Sequence, residues 1–582
     1  MCGIIGYAGH DNAIPYLLEG IKNLEYRGYD SFGIGFIQDG KIVIKKDVES
    51  IENVISKYNI SDYVSNIGIA HTRWATHGRI EQRNAHPISD CKNDIAVVHN
   101  GTIENFEDMK LALKAHTFVS DTDTEVIAHA VEEELQNHNT LFDSVYHIFH
   151  KIKGASSFAV LSSKDNKIIA AKNGTPLVFG IGKNGYFVAS DIPSFLKYTN
   201  KVIYLTDGDI VMFDKEHYEI KNALNKEIKH TINIVTFNVK EADKGKFDHF
   251  MEKEIYDEFE LWSKFESYDT SNLKEAITLI NDARKVYITG AGTSFYASVA
   301  GAMLLRDNGI DAYAIAPYEI ENFAKIIKKE DLFIIVSQSG ETYDIINELP
   351  IIKENKKIGI INVEGSTLSR AVDLYINMEC GTEKAVAATK SMMSTLMIFK
   401  ILSCLIADTD YIKDLKLLNL EKFNVLVPSI QKLLDDLASK LAVEESIYFT
   451  GRDYSYIIAL EGALKMKEIS YIHAEAINLA SIKHGPLALI EKGTKVITLI
   501  NPDTEQLALN NIEELKARGA YIIGIYQRPL KQFDMFIRTV NAGIFSFAPE
   551  LLIVQLLAYK VAVKKGFNPD KPRNLAKSVT VK

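Results

Sequence analysis

Val286-Tyr287-Ile288-Thr289-Gly290 recurs as Ile447-Tyr448-Phe449-Thr450-Gly451, each an apolar run closed by glycine ahead of a helical pattern. The runs that follow correspond as well: Leu332 to Val336 answers Val496 to Ile500, and Ile358 to Val363 answers Tyr521 to Tyr526. Strand alternating with helix at this spacing builds parallel sheets through right-handed crossovers. Two α/β doubly wound domains are therefore expected, at 275–425 and 426–565, with a tail at 566–582. Ligands in such sheets lie beyond the strand C-termini. Gly292-Thr293-Ser294 and Ser337-Gln338-Ser339-Gly340-Glu341-Thr342 fall there.

The first 235 residues read differently. Short strands, as at Gly33 to Ile37, Ile67 to Ala70, Asp94 to Val98 and Ile168 to Ala171, are separated by Gly, Asn and Asp turns, with a helical pattern at Glu125 to Leu135. This predicts a layered sheet domain with helices outside, followed by a charged linker and docking helix at 236–274. At 582 residues the chain is too long for one core. A formal charge of −10 argues against a general nucleic-acid or anionic-membrane binder. Cysteines at 2, 91, 380 and 404 show neither paired zinc spacing nor a disulfide framework, which fits a reducing cytoplasm. No signal peptide is evident, and the apolar stretch Met392 to Ala407 is too short to span a membrane. His71, His77, His86 and His99 lack the close spacing of zinc ligands, so no metal is expected.

Cys2 is the chemically pointed residue of the first part. Removal of Met1 would leave it with both a thiol, pKa near ~8.5, and an α-amine near ~7.7–8.0 able to take the thiol proton. Between the strands lie polar clusters: Arg27 to Ser31, His71 to Gly78, Asn84 to Pro87, His99-Asn100-Gly101 and Thr122 to Glu125. Arg73 can grip a carboxylate in bidentate fashion, Asn100 with the Gly101 N–H can donate to an oxyanion, and Asp123 can hold an ammonium. Singly, Asn100-Gly101 is also a hairpin turn and Asp123 also an N-cap.

The ensemble occurs in family order, with Cys2-Gly3-Ile4 and Glu25-Tyr26-Arg27-Gly28-Tyr29-Asp30-Ser31 ahead of the other clusters. On these motifs, residues 2 to about 240 resemble the glutaminase domain of the N-terminal-nucleophile amidotransferases, with its α/β/β/α layering. The resemblance implies Cys2 as nucleophile, Asn100 and Gly101 as oxyanion hole, and Arg73 and Asp123 on the carboxylate and amino group of glutamine. It places Trp74, Thr76, His77 and His86 in the pocket or its lid. Ammonia would be diluted and protonated in water, so a shielded path onward is expected, with Trp74 a candidate gate.

In the second part, Ser337, Ser339 and Thr342 bring hydroxyls to a helix start, which reads as a phosphate cradle or a serine-rich N-cap. Lys465 and Glu468 share a helix face, as acid–base groups or as a surface pair. With Lys483-His484-Gly485-Pro486 and Arg573 to Val581, these motifs resemble the sugar-isomerase (SIS) domains of the glutamine:fructose-6-phosphate aminotransferases. By that likeness Ser294, Ser337, Gln338, Ser339, Thr342 and Val386 bind the sugar phosphate. Glu468 shifts the proton between C1 and C2, His484 assists ring opening, and Lys465 and Lys577 act at the site. The implied ligands are glutamine and fructose 6-phosphate, with no cofactor, nucleic acid or membrane, and the implied assembly is a homodimer. Ala291, Ala388 and Ser481 depart from the family pattern, as does Tyr256-Asp257-Glu258-Phe259. These departures keep open an amidotransferase acting on a different ketose phosphate.

Overall fold

The computed structural model describes residues 2–75, 77–137, 139–235 and 244–578. The chain forms two compact units, residues 1–241 with 576–582, and residues 242–575.

The first unit holds an eight-stranded and a six-stranded sheet. In the larger, strand Gly3–Gly9 lies between Gly185–Ala189 and Ile67–Arg73, antiparallel to both. In the smaller, Ile95–Gly101 pairs antiparallel with Ser156–Ser162. Both faces of each sheet are covered, so these strands read as continuous apolar runs, and alternate residues sort into different cores. Ile4 and Ala8 join Ala96, Val98, Ala159 and Leu161 between the sheets. Ile5 and Tyr7 turn outward onto Ile14, Leu17 and Ile21 of helix Ala13–Asn23. Ile95 and Val97 turn outward onto helices Glu125–Gln136 and Leu141–Lys151. The layering is α/β/β/α, as expected.

The second unit holds two five-stranded parallel sheets of the same topology. One runs Ala312–Ile315, Val286–Thr289, Leu332–Ser337, Lys356–Ile361, Leu374–Asn377. The other runs His473–Asn478, Ser446–Gly451, Lys495–Leu499, Tyr521–Tyr526, Met535–Arg538. The repeat is faithful to side-chain direction. Val286, Ile288, Ile447 and Phe449 all enter one shared core, whereas Tyr287 and Tyr448 turn to separate outer ones. That shared core makes the two sheets one unit, and position 425/426 falls inside a continuous helical run from Ile412 to Leu441. Gly290 and Gly451 are equivalent for one reason: a Cβ there would stand 2.7 and 2.5 Å from the backbone of Ser294 and Ser455, where the next helix begins. Helix Phe250–Lys264 inserts Met251, Ile255 and Trp262 into the same core. Among the described residues one helical stretch, Gly543–Lys564, is long and apolar enough to cross a membrane, and most of it is buried inside the protein.

Candidate active sites

Pairing of Gly3 with Thr72 brings Cys2 beside Arg73 and Trp74. The Trp74 N–H donates to Cys2 Sγ at 3.2 Å. Burial pushes the Cys2 thiol above its ordinary pKa, against the pull of the Trp74 backbone and the Arg73 charge. Asn100 and Gly101 end a strand, paired with Ser157 and Ser156, so they are not a hairpin turn. Asn100 Nδ2 donates to the Cys2 carbonyl at 3.0 Å and to Ser190 Oγ at 2.8 Å, while its Oδ1 lies 3.2 Å from His71 Nε2. Only glycine fits at 101, where φ is 134° and a Cβ would meet the Ala155 carbonyl at 2.0 Å.

Cys2, Arg73, Trp74, His77, His86, Gly101 and Asp123 line one pocket. The buried Arg73 guanidinium already donates to the carbonyls of His77, Gly78 and Arg79, so it holds the pocket loop rather than standing free. Asp123 is buried and accepts the Ile103 N–H at 2.8 Å. It does not cap the helix, whose N-cap is Thr124. His86 Nε2 and His99 Nδ1 both reach Thr124 Oγ1, at 2.8 and 3.0 Å. Burial drives His86 well below the ordinary imidazole pKa and His71 down to about 3, so both rings are neutral. Thr76 lies outside the described residues.

In the second unit, helix Tyr454–Ser470 carries Glu461, Lys465 and Glu468 on one face. Lys465 Nζ donates to Glu468 Oε2 at 2.6 Å and to Thr293 Oγ1 at 3.1 Å, and lies 3.3 Å from Glu461 Oε1. Lys465 and Glu461 are fully buried, so this is no surface pair. Burial alone would lower the lysine pKa, but the flanking carboxylates hold it above the ordinary value. Burial raises Glu461 to about 7 despite Lys465.

The serine loop is ordered from within. Ser337 Oγ contacts Thr342 Oγ1 at 2.9 Å and accepts the Gly340 N–H at 3.0 Å, and Ser339 Oγ accepts the Glu341 N–H at 3.1 Å. The helix after it, Tyr343–Ile346, is a single turn, so few aligned peptide dipoles act there and the hydroxyls and N–H groups must carry any anion. Ser294 sits in the first turn of helix Thr293–Asp307, and Gln338 is half-buried beside Ser337. The Val386 N–H donates to the Asp570 carbonyl, while the Asp570 carboxylate caps Phe250 and Met251. His484 is exposed on a short turn, and among the described residues no hydrogen bond joins it to Glu468. Lys577 belongs to the first unit and Lys465 to the second.

Residues 71–197 match the glutamine amidotransferase domain family, and residues 279–404 and 440–534 match the SIS domain family. The glutamine-fructose-6-phosphate aminotransferase (isomerizing) of Pyrococcus horikoshii is 40% identical over the whole of both chains, and that of Fusobacterium nucleatum 38%. The chain belongs to this aminotransferase family. The C-terminal domain of the Francisella tularensis glucosamine-fructose-6-phosphate aminotransferase superposes with a TM-score of 0.51 at 30% identity. It covers 57% of this chain and all of that one.

Thr293 and Glu461 are the site residues that sequence reading did not single out in this aminotransferase. Thr293 stands inside the quoted Gly292-Thr293-Ser294, and the signal for Glu461 is its spacing of four and seven residues ahead of Lys465 and Glu468 on one helix. Nothing local to Thr293 announces its contact with a helix so far along the chain.

Proposed function

We infer that the chain converts fructose 6-phosphate and glutamine to glucosamine 6-phosphate and glutamate. The observation that carries this reading is one chain, matched end to end by aminotransferases, that holds both the Cys2 pocket and the Lys465–Glu468 cluster. Cys2 attacks the glutamine amide carbonyl and ammonia departs. The resulting thioester is hydrolysed to glutamate. Glutamine's carboxylate takes the place of the loop carbonyls on Arg73, and its ammonium meets Asp123. Asn100 and Gly101 donate to the oxyanion, for which Asn100 releases one of its present acceptors.

The ammonia is passed to the second site and adds to the C2 ketone, and loss of the ketone oxygen as water gives an imine. Glu468 then moves a proton between C1 and C2, leaving a 2-amino aldose. Ser294, Ser337, Gln338, Ser339, Thr342 and Val386 hold the sugar phosphate, and Lys465 hydrogen-bonds the base Glu468. His484 assists ring opening, and the assembly is a homodimer.

The test is incubation with fructose 6-phosphate and glutamine labelled with heavy nitrogen at its amide. Mass spectrometry should find the label in glucosamine 6-phosphate. Because Ala388 stands where the family has serine, a panel of other ketose phosphates runs beside it. Label in another amino sugar, with none from fructose 6-phosphate, would overturn the substrate assignment.

A further inference from the structure

In the first unit, outside the glutamine pocket, four metal-ligating side chains converge. Cys91 follows the short strand Ile88–Ser89, His116 lies in the loop after helix Phe106–Ala112, and His129 and Glu132 lie one turn apart on helix Glu125–Gln136. Their ligand atoms all lie within 4.8 Å of one another. Cys91 Sγ is 3.6 Å from both His116 Nδ1 and His129 Nδ1. Glu132 Oε2 is 3.1 Å from His116 Nδ1 and 3.7 Å from His129 Nδ1. A tetrahedral zinc ion with ordinary bond lengths spaces its sulfur and nitrogen ligands about 3.6 Å apart and its nitrogen and oxygen ligands about 3.4 Å apart. The observed separations match the first value and bracket the second.

The shell behind these atoms points the same way. His129 Nε2 is 3.4 Å from Glu125 Oε1, and His116 Nε2 is 3.3 Å from Glu133 Oε2. A carboxylate behind each imidazole can accept the Nε2 proton once Nδ1 holds a metal, the arrangement that orients metal-bound histidines. Glu132 Oε2 also accepts the Cys91 N–H at 3.1 Å, which holds the carboxylate toward the centre of the set. The side chains of His116, His129 and Glu132 are nearly buried, and Cys91 is exposed, which leaves an entry path.

We propose that Cys91, His116, His129 and Glu132 form a structural site for one thiophilic divalent cation, Zn2+ in the first place. Binding takes the thiol as thiolate and releases its proton. The site fastens the loop through His116 to the helix that begins at Glu125. Glu125 itself accepts the N–H groups of Val119 and Ser120, both at 2.7 Å, just ahead of Thr122 and Asp123 in the pocket. Paired-cysteine spacing misses such a set, because only His129-x-x-Glu132 is local in sequence.

The test uses the full chain carrying Cys2→Ala, so that Cys91 is the one exposed thiol, with Cys380 and Cys404 buried. After chelation and reloading, the protein should retain a single equivalent of zinc through dialysis. Cobalt in its place should show a thiolate-to-metal charge-transfer band. Cys91→Ser should abolish that band, and Glu133→Gln, at an exposed position, should weaken zinc binding about tenfold while leaving the circular dichroism unchanged. Failure of the chain to retain any zinc, or a cobalt band that persists in Cys91→Ser, would overturn the proposal.

Discussion

Thr293 Oγ1 lies 3.1 Å from Lys465 Nζ and within 3.2 Å of both oxygens of Glu461, so one hydroxyl accepts from the ammonium and donates to the carboxylate. The groups it joins are sealed from water, where a lost hydrogen bond to a charge costs ~1.5–3 kcal/mol. Thr293→Val should therefore destabilise the second unit by about 2 kcal/mol and lower amino-sugar formation. Denaturant unfolding reads the first effect, and an unchanged midpoint would remove Thr293 from the network.

Glu468→Gln keeps the shape of the helix face and removes the base. Amino-sugar formation should fall ~10²–10⁴-fold while glutamine cleavage persists. Equal loss of both activities would point to misfolding rather than lost proton transfer.

Cys2→Ala should end glutamine hydrolysis, and an uncleaved N-terminal extension should do the same by blocking the α-amine. Fructose 6-phosphate binding, followed by calorimetry, should survive both changes. Full hydrolysis by the extended protein would refute the role of the amine.

Burial raises the Glu550 carboxyl from 4.5 to about 8, with Ser455 Oγ its hydrogen-bond donor. The folded chain thus holds this proton more tightly than the unfolded chain, and the stability it contributes is lost as pH rises through that window. Glu550→Gln should match the parent's melting temperature near about pH 5 and exceed it near about pH 8.5. A constant gap across that range would argue against a proton bound at Glu550.

Asp453 adopts φ 50°, ψ −126°, the conformation that Gly292 adopts at the equivalent turn of the first sheet, φ 56°, ψ −125°. A side chain is strained there, so Asp453→Gly should stabilise by ~1 kcal/mol once glycine's unfolded-state entropy is set against the relief. A melting temperature that falls would show that the aspartate's contacts outweigh its strain.

Both parallel sheets were legible because Tyr287 and Tyr448 punctuate the same apolar pattern, and side-chain alternation depends only on local period. The Cys2 pocket was legible because its residues cluster in short motifs at strand ends. What sequence could not show is how non-local packing disposes them. The Arg73 guanidinium is engaged by its own loop, the serine loop leads into one helical turn instead of a long helix, and His484 stands exposed. Nor could spacing reveal that Cys91 and His116 meet across two connecting segments.

The shared core beneath the two sheets has an evolutionary corollary. A duplicated domain ordinarily leaves each copy free to drift, because the other retains the ancestral job. Here the first copy supplies Thr293 and the second supplies Glu461, Lys465 and Glu468. Redundancy has become division of labour. Severed between the copies, the chain would yield two incomplete halves, each with a sheet and part of the shared core, and Lys465 would be parted from Thr293.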